Sequence, residues 1–236
     1  MRLDKFLKEN GICSRSEAKK ILKQGLVEIN GVLIKDSDYK LDENKDVVTY
    51  KGEVINYQEY VYLMVNKPAG VICATEDYKD KTILDLVNEY RHKNLFPFGR
   101  LDKDSVGLVI LSNNGKLAHE LLSPKKHVEK KYYLKIKGRL TKDDIEAFKN
   151  GIILEDDYRC KSATLEIIKS DEISECHVII SEGKFHQLKR MFKMLDKEVV
   201  YLKRISFGKI NLDESLQEGE YRLLSQYEID LLNDNK

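Results

Sequence analysis

The sequence predicts an α+β protein, with a small helix–hairpin head at residues 1–57 and a larger body at residues 58–236 built on a mixed, mostly antiparallel sheet. Three observations lead there. The first 55 residues carry two short helical stretches with apolar stripes, followed by a hairpin signal and further short strands. The remainder alternates β-branched runs with helical stretches. Several of those runs lack the regular crossover that parallel pairing requires, which disfavours a doubly wound sheet. Finally, no apolar run approaches the roughly 20 residues of a membrane span, while 42% hydrophobic and 34% charged residues suit a core with a water-facing surface.

Each element has its own warrant. Leu3, Phe6 and Leu7 form one apolar stripe of a helix that ends near Asn10-Gly11. Ser14-Arg15-Ser16-Glu17 has the pattern of a capping box, and a second helix follows through Ala18, Ile21 and Leu22 to stop at Gly25. Leu26-Val27-Glu28-Ile29 runs into Asn30-Gly31, the dipeptide that best fits a two-residue hairpin turn, and then into Val32-Leu33-Ile34. Asp46 to Tyr50 supplies another short strand. No Gly/Ser-rich or Pro-rich tract marks the boundary, which is placed near Gln58 to Tyr60. In the body, strands are predicted at 61–65, 108–111, 132–136, 165–168 and 177–180, and helices at 83–90, 116–122, 142–149 and 185–195.

A net charge of +1 hides an uneven distribution. Residues 123–139 hold six lysines, Lys125 among them, and Arg139 against Glu129 alone. Residues 184–209 hold eight basic residues against Asp196 and Glu198. Polyanion binding needs a local cationic surface whatever the total charge, so the balance does not exclude a nucleic-acid partner. Cys13, Cys73, Cys160 and Cys176 are scattered with no C-x-x-C pair, which reads as reduced thiols rather than a zinc site or a disulfide framework.

The chemistry concentrates in Phe98-Gly99-Arg100-Leu101-Asp102-Lys103-Asp104-Ser105-Val106-Gly107-Leu108. Asp102 sits in a glycine-flanked loop just ahead of a buried-strand run, where a sheet can hold a carboxylate rigid yet within reach of a substrate. Three further segments stand out: Tyr62 to Val71, which contains Asn66-Lys67-Pro68-Ala69-Gly70; Glu129-Lys130-Lys131-Tyr132-Tyr133-Leu134; and Ser181 to Phe192, which reads SEGKFHQLKRMF. In wording and order these resemble the signatures of the RNA pseudouridine synthases: N-K-P-x-G after a strand, G-R-L-D-x-x-[ST]-x-G-L, K-x-Y, and E-G-[KR]-[YF]-H-Q-[VL]-K-R-M-F. The head resembles the S4 RNA-binding domain through Met1 to Leu7 and Ser14 to Ile21. The chain is most similar to the S4-bearing branch that modifies small-subunit (16S) rRNA at uridine 516, with the large-subunit (23S) enzymes as runner-up.

This resemblance implies an isomerase that breaks the glycosidic bond of a uridine, turns the base and joins its C5 to C1′ of the same ribose. The base never leaves, so no cofactor, no nucleotide and no metal is expected. The sequence offers neither a phosphate-cradling glycine loop nor a metal-ligand cluster. The family pattern makes Asp102 the catalytic residue, leaving open whether its carboxylate attacks C1′ or removes a C2′ proton. Desolvation favours the protonated form of a carboxylate, so a fixed cation should stand beside it; the resemblance assigns that place to Lys189. Tyr132 matches the tyrosine that stacks on the flipped base, Leu188 packs on its other side, and Arg100 contacts RNA.

Other residues of the motifs receive quieter readings. Asp104 is read as structural or solvent-facing, and Tyr133 as pointing away from Tyr132 across the strand. His186 positions the loop before Lys189, and Lys67 to Gly70 make a tight loop near the cleft or a simple turn. Phosphate contacts are expected from Arg2, Lys5, Arg15, Lys19, Lys20 and Lys23 in the head and from Lys130, Lys131 and Arg190 in the body. The resulting expectation is a cytoplasmic monomer, with no membrane partner, acting on 16S rRNA or a small-subunit assembly intermediate. A non-catalytic RNA-binding assembly factor is the alternative from another class. Intact Asp102, Tyr132 and Lys189 argue against it.

Overall fold

A computed structural model describes residues 1–123 and 126–234; Pro124 and Lys125, the latter from the first basic run, lie outside the described residues. Contacts divide the chain into two compact units, Met1–Val61 with Asn88–Leu95, and Tyr62–Val87 with Phe96–Lys236. The sequence reading makes one cut after residue 57, whereas here a short later segment joins the first unit. The contacts responsible join segments distant in sequence. A 3-10 helix, Asn88–Lys93, packs on the first helix of the chain. The Lys93 ammonium donates to the Gln58 carbonyl at 3.3 Å.

The first unit comprises α1 (Leu3–Glu9), α2 (Arg15–Lys23), β1 (Val27–Ile29), β2 (Val32–Leu33), β3 (Val48–Tyr50) and β4 (Glu53–Val54). The capping box forms as read: the Ser14 hydroxyl accepts from the Glu17 amide at 3.3 Å, and the Glu17 carboxylate accepts from the Ser14 amide at 2.8 Å. Asn30 and Gly31 both take positive φ, 52° and 79°, which suits the twist of the hairpin they close. The sheet runs β2-β1-β3-β4, all antiparallel. Leu3, Phe6, Leu7, Ala18, Leu22 and Val27 close the core against it.

The second unit comprises β5 (Tyr62–Lys67), β6 (Phe96–Phe98), β7 (Val106–Ser112), α3 (Gly115–Leu122), β8 (Lys130–Lys137), α4 (Lys142–Asn150), β9 (Thr164–Lys169), β10 (Ile173–Ile180), α5 (Gln187–Lys193), β11 (Glu198–Phe207), β12 (Ile210–Asn211), β13 (Tyr221–Leu223) and α6 (Gln226–Asp234). Its nine-stranded sheet has the order β13-β5-β7-β11-β8-β10-β9, with β6 on β7 and β12 on β11. Between the named strands the parallel pairing is that of β11 with β7 and the others are antiparallel, so the mixed, mostly antiparallel sheet is as expected. Tyr62, Met64, Leu108 and Ile110 of β5 and β7 pack against Leu117 and Leu121 of α3 and Leu232 of α6. On α4 and α5, Phe148 and Phe192 meet with ring centroids 4.9 Å apart.

Several details depart from the sequence reading, which also lacks β6, β12, β13 and α6. The helix expected at 83–90 is two 3-10 turns, Ile83–Leu86 and Asn88–Lys93, broken at Val87 (φ −122°, ψ 43°). The helix expected at 185–195 is shorter, because His186 adopts a left-handed conformation (φ 49°) and α5 starts only after it. Strand β11 is absent from the sequence reading, yet it lies at the centre of the sheet between β7 and β8. Its close parallel contact with β7 depends on Gly107. There φ is +103°, and a Cβ would stand 2.3 Å from the Arg204 carbonyl oxygen. No other residue fits that backbone.

Candidate active site

The loop from Gly99 to Ser105 feeds β7 and is held by its backbone at several points. The Leu101 amide donates to Cys73 Sγ at 3.3 Å. The Gly70 amide donates to the Lys103 carbonyl at 2.8 Å, and the Ser105 amide closes a turn on the Asp102 carbonyl at 3.1 Å. Lys67, fully buried at the end of β5, donates its ammonium to the carbonyls of Ser105 at 2.7 Å and Pro68 at 2.9 Å, with that of Lys103 at 3.4 Å. Burial pulls the Lys67 pKa below the ordinary lysine value. The Lys67 segment is therefore more than a turn. It ties the Asp102 loop to the sheet through the backbone carbonyl oxygens of Lys103 and Ser105.

Asp102 meets the ammonium that the motif predicts. Lys189 Nζ lies 3.1 Å from Asp102 Oδ2 and 2.6 Å from Asp104 Oδ1. Asp104 is solvent-facing, with a side chain 72% exposed against 29% for Asp102, but it also shares the lysine. Burial works against the Lys189 charge, yet the two carboxylates outweigh it and hold the ammonium above its ordinary pKa. Burial also opposes the Asp104 charge, and donation from Lys189 outweighs it, holding that carboxyl below its usual range. His186 Nε2 stands 3.6 Å from Asp102 Oδ1, and its ring stacks on the exposed Phe185 with centroids 3.8 Å apart.

These groups open onto a cleft of about 800 Å³ whose lining includes Arg100, Asp102, Lys130, Tyr132, Phe185 and Arg204. An adjoining recess is lined by Asp102, Ser105, Tyr132, Leu188 and Lys189. Tyr132 and Leu188 are buried, presenting an aromatic ring and an aliphatic side chain beside one carboxylate, an arrangement that can hold a flat base. Tyr133, as expected of its strand neighbour, turns elsewhere and donates its hydroxyl to Glu175. The Ser105 hydroxyl is buried without a hydrogen-bond partner among the described residues. Among those residues no group of His, Cys, Asp and Glu is placed to hold a metal ion.

Of the residues expected to meet phosphate, Arg15, Lys19, Lys20 and Lys23 are exposed along α2. Others are engaged within the protein. Arg2 pairs with Asp4 at 2.8 Å and Asp38 at 2.5 Å, and Lys5 approaches Glu9 at 3.4 Å. Lys131 pairs with Glu166 at 3.2 Å. Arg190 is engaged in the same way, its guanidinium pairing with Glu155 at 3.0 Å and Asp156 at 2.7 Å. Arg204 is the residue that the sequence reading counts only as part of a basic run. It is 1% exposed, its Nε donates to the Leu108 carbonyl at 2.7 Å, and it stands opposite Tyr132 in the β11–β8 register.

A two-part fold and a carboxylate–ammonium pair beside a buried tyrosine define a class, and comparison with known proteins agrees with it. The chain belongs to the RNA pseudouridylate synthase family, whose model matches residues 61–194, and an S4 domain matches residues 1–47. It is 45% identical to the uncharacterized RNA pseudouridine synthase YtzG of Bacillus subtilis, covering 99% of both chains. It is 38% identical to ribosomal small subunit pseudouridine synthase A of Haemophilus influenzae, over 98% of this chain and 99% of that one. A crystal structure of a pseudouridylate synthase superposes with a TM-score of 0.69 at 38% identity, covering 98% of this chain and 99% of the other.

Proposed function

We propose that this enzyme converts one uridine of 16S rRNA, at the position equivalent to 516, into pseudouridine. The observation that carries the proposal is the Asp102–Lys189 pair set beside Tyr132 in a cleft wide enough for an extruded nucleotide. Identity of 38% over nearly the whole length of a small-subunit enzyme supports 16S rather than 23S rRNA as the substrate. In this reading the uridine leaves its stack, its base lies against Tyr132 with Leu188 on the other side, and Arg100 steadies the displaced nucleotide. The ionised Asp102 then either attacks C1′ or takes a C2′ proton. Both routes need the carboxylate, beside which the Lys189 ammonium stands at 3.1 Å. Residues 1–57 supply phosphate affinity through α2, while residues 58–236 carry the reaction. The protein works as a cytoplasmic monomer without a cofactor, on naked 16S rRNA or on a small-subunit assembly intermediate.

The decisive experiment maps pseudouridine in rRNA from cells with and without the gene, and repeats the mapping on 16S and 23S transcripts treated with the purified protein. One 16S uridine that is modified only when the protein is present is the expected result. A 23S site instead would reassign the substrate within the same chemistry. Modification of neither, with RNA binding retained, would favour the assembly-factor reading.

A further inference from the structure

We infer that Lys130 and Arg204 form a preformed subsite for one backbone phosphodiester of the substrate RNA, beside the Tyr132 face of the cleft. This rests on the uridine-isomerase reading above. Lys130 and Tyr132 are two residues apart on β8, so their side chains share a face at a spacing of about 7 Å along the strand. Across the β11–β8 ladder Arg204 stands opposite Tyr132, and Phe207 opposite Lys130, with a register shift between Arg204 and Ser206. Bulges of this kind re-aim side chains next to active sites. Here both cations come to one aromatic ring: Lys130 Nζ lies 5.6 Å and Arg204 Cζ 5.8 Å from the Phe207 centroid.

Among the described residues neither charge stands in an ion pair. Arg204 spends Nε on the Leu108 carbonyl, while Nη2 is buried with no hydrogen-bond partner among the described residues. Nη1 faces the active loop, where a Cβ on Gly99 would lie 3.7 Å from it. Lys130 Nζ donates to the Val128 carbonyl at 2.8 Å, a neutral acceptor. The acid that acts on Lys130 is Glu182, and its carboxylate is already taken by the Tyr158 hydroxyl at 2.7 Å, the Lys161 amide at 3.0 Å and Gln187 Nε2 at 2.6 Å. Burial, then repulsion from Arg204, pulls the Lys130 pKa down to about 8. A buried guanidinium and a half-buried ammonium facing one cleft are costly when unpaired, and a guanidinium fork with a free nitrogen matches phosphate oxygens. A base carbonyl would leave that charge uncompensated. A phosphodiester within one nucleotide of the base on Tyr132 neutralises it.

The test is a scan of a short rRNA fragment in which each phosphate near the target uridine is replaced in turn by an uncharged methylphosphonate. In single-turnover assays one position should lower kcat/KM about 10–100-fold, the worth of a charge-assisted hydrogen bond. Lys130→Gln should lose a similar factor on the natural fragment and almost nothing further on that one methylphosphonate. Lys130→Arg should restore the natural rate. Arg204→Lys keeps a charge without the fork and should fall between; should it fail to fold, the Lys130 pair decides alone. A scan with no sensitive position, or losses that simply multiply in Lys130→Gln, would overturn the subsite. Should the protein modify neither rRNA, the uridine-isomerase reading fails by itself. Equilibrium binding of the same RNAs then judges the subsite, which stands if one methylphosphonate weakens wild type alone and falls if Lys130→Gln responds equally.

Discussion

Lys189 divides its ammonium between Asp102 and Asp104, and the proposed chemistry rests on the less exposed of the two. Asp104 faces solvent, where an ion pair is worth at most about 1 kcal/mol. Asp104→Asn should therefore cost no more than about fivefold in single-turnover rate. Asp102→Asn keeps the shape and removes the charge, so it should form no detectable pseudouridine while binding RNA nearly as well. An active Asp102→Asn enzyme with an inert Asp104→Asn would reverse the assignment. A second prediction concerns pH. Lys130, facing Arg204 and Glu182, carries a pKa of about 8, so its charge is full below that value and lost above it. kcat/KM should decline as pH rises through about 8, and Lys130→Arg, charged throughout, should lack that limb; an unchanged profile in Lys130→Arg would remove Lys130 as its source. Asp102, Lys189 and Tyr132 are legible in the sequence because each lies inside a short, ordered motif. Arg204 is not, because its position depends on which strand pairs with β8.

At the scale of elements, the motif-bearing strands and the capped helices of the head follow from local pattern, and the misses have local causes. Glu198 to Phe207 mixes β-branched, basic and aromatic residues without a clean alternation, so β11 reads as no single element. The C-terminal helix α6 shows a weak apolar stripe, and charge adds to the packing of Leu232 in holding it. Arg222 on β13 donates to both oxygens of Glu228 at 2.8 Å and to Asp213 at 2.6 Å. The Ser215 hydroxyl and Arg222 hold the Asp213 pKa at about 2, and Arg222 first of all keeps Glu228 below its ordinary value. Both groups are depressed on folding. Their stabilisation is complete above the unfolded values of 3.8 and 4.5 and is lost as pH falls toward about 2. Arg222→Ala should lower Tm by several degrees at neutral pH, with the gap from wild type closing in acid. A gap that persists unchanged at pH 2 would mean that packing, not charge, secures α6.

For the whole molecule, the division into an RNA-binding head and a catalytic body is readable from motif order, whereas the strand order of the body and the recruitment of Asn88–Leu95 to the first unit are not, since both arise from distant contacts. The division implies separable affinity and chemistry. Replacing Lys19 and Lys23, both exposed on α2, by Gln in the full chain should reduce the slope of log affinity against log salt by about 1–2, one counterion per lost phosphate contact. The single-turnover rate at saturating RNA should not change. A rate loss at saturation with an intact salt slope would place α2 in the chemistry instead.

The parallel contact of β7 with β11 also sets an order in time. Lys189 reaches Asp104 across 85 residues of chain, and Arg204 reaches the Leu108 carbonyl across 96. As the chain leaves the ribosome, the Asp102 loop waits for its cation and its neighbouring strand to be synthesised. Contacts so distant in sequence form slowly. A nascent chain that ends before β11 thus lacks Arg204 and the strand that pairs beside the Asp102 loop.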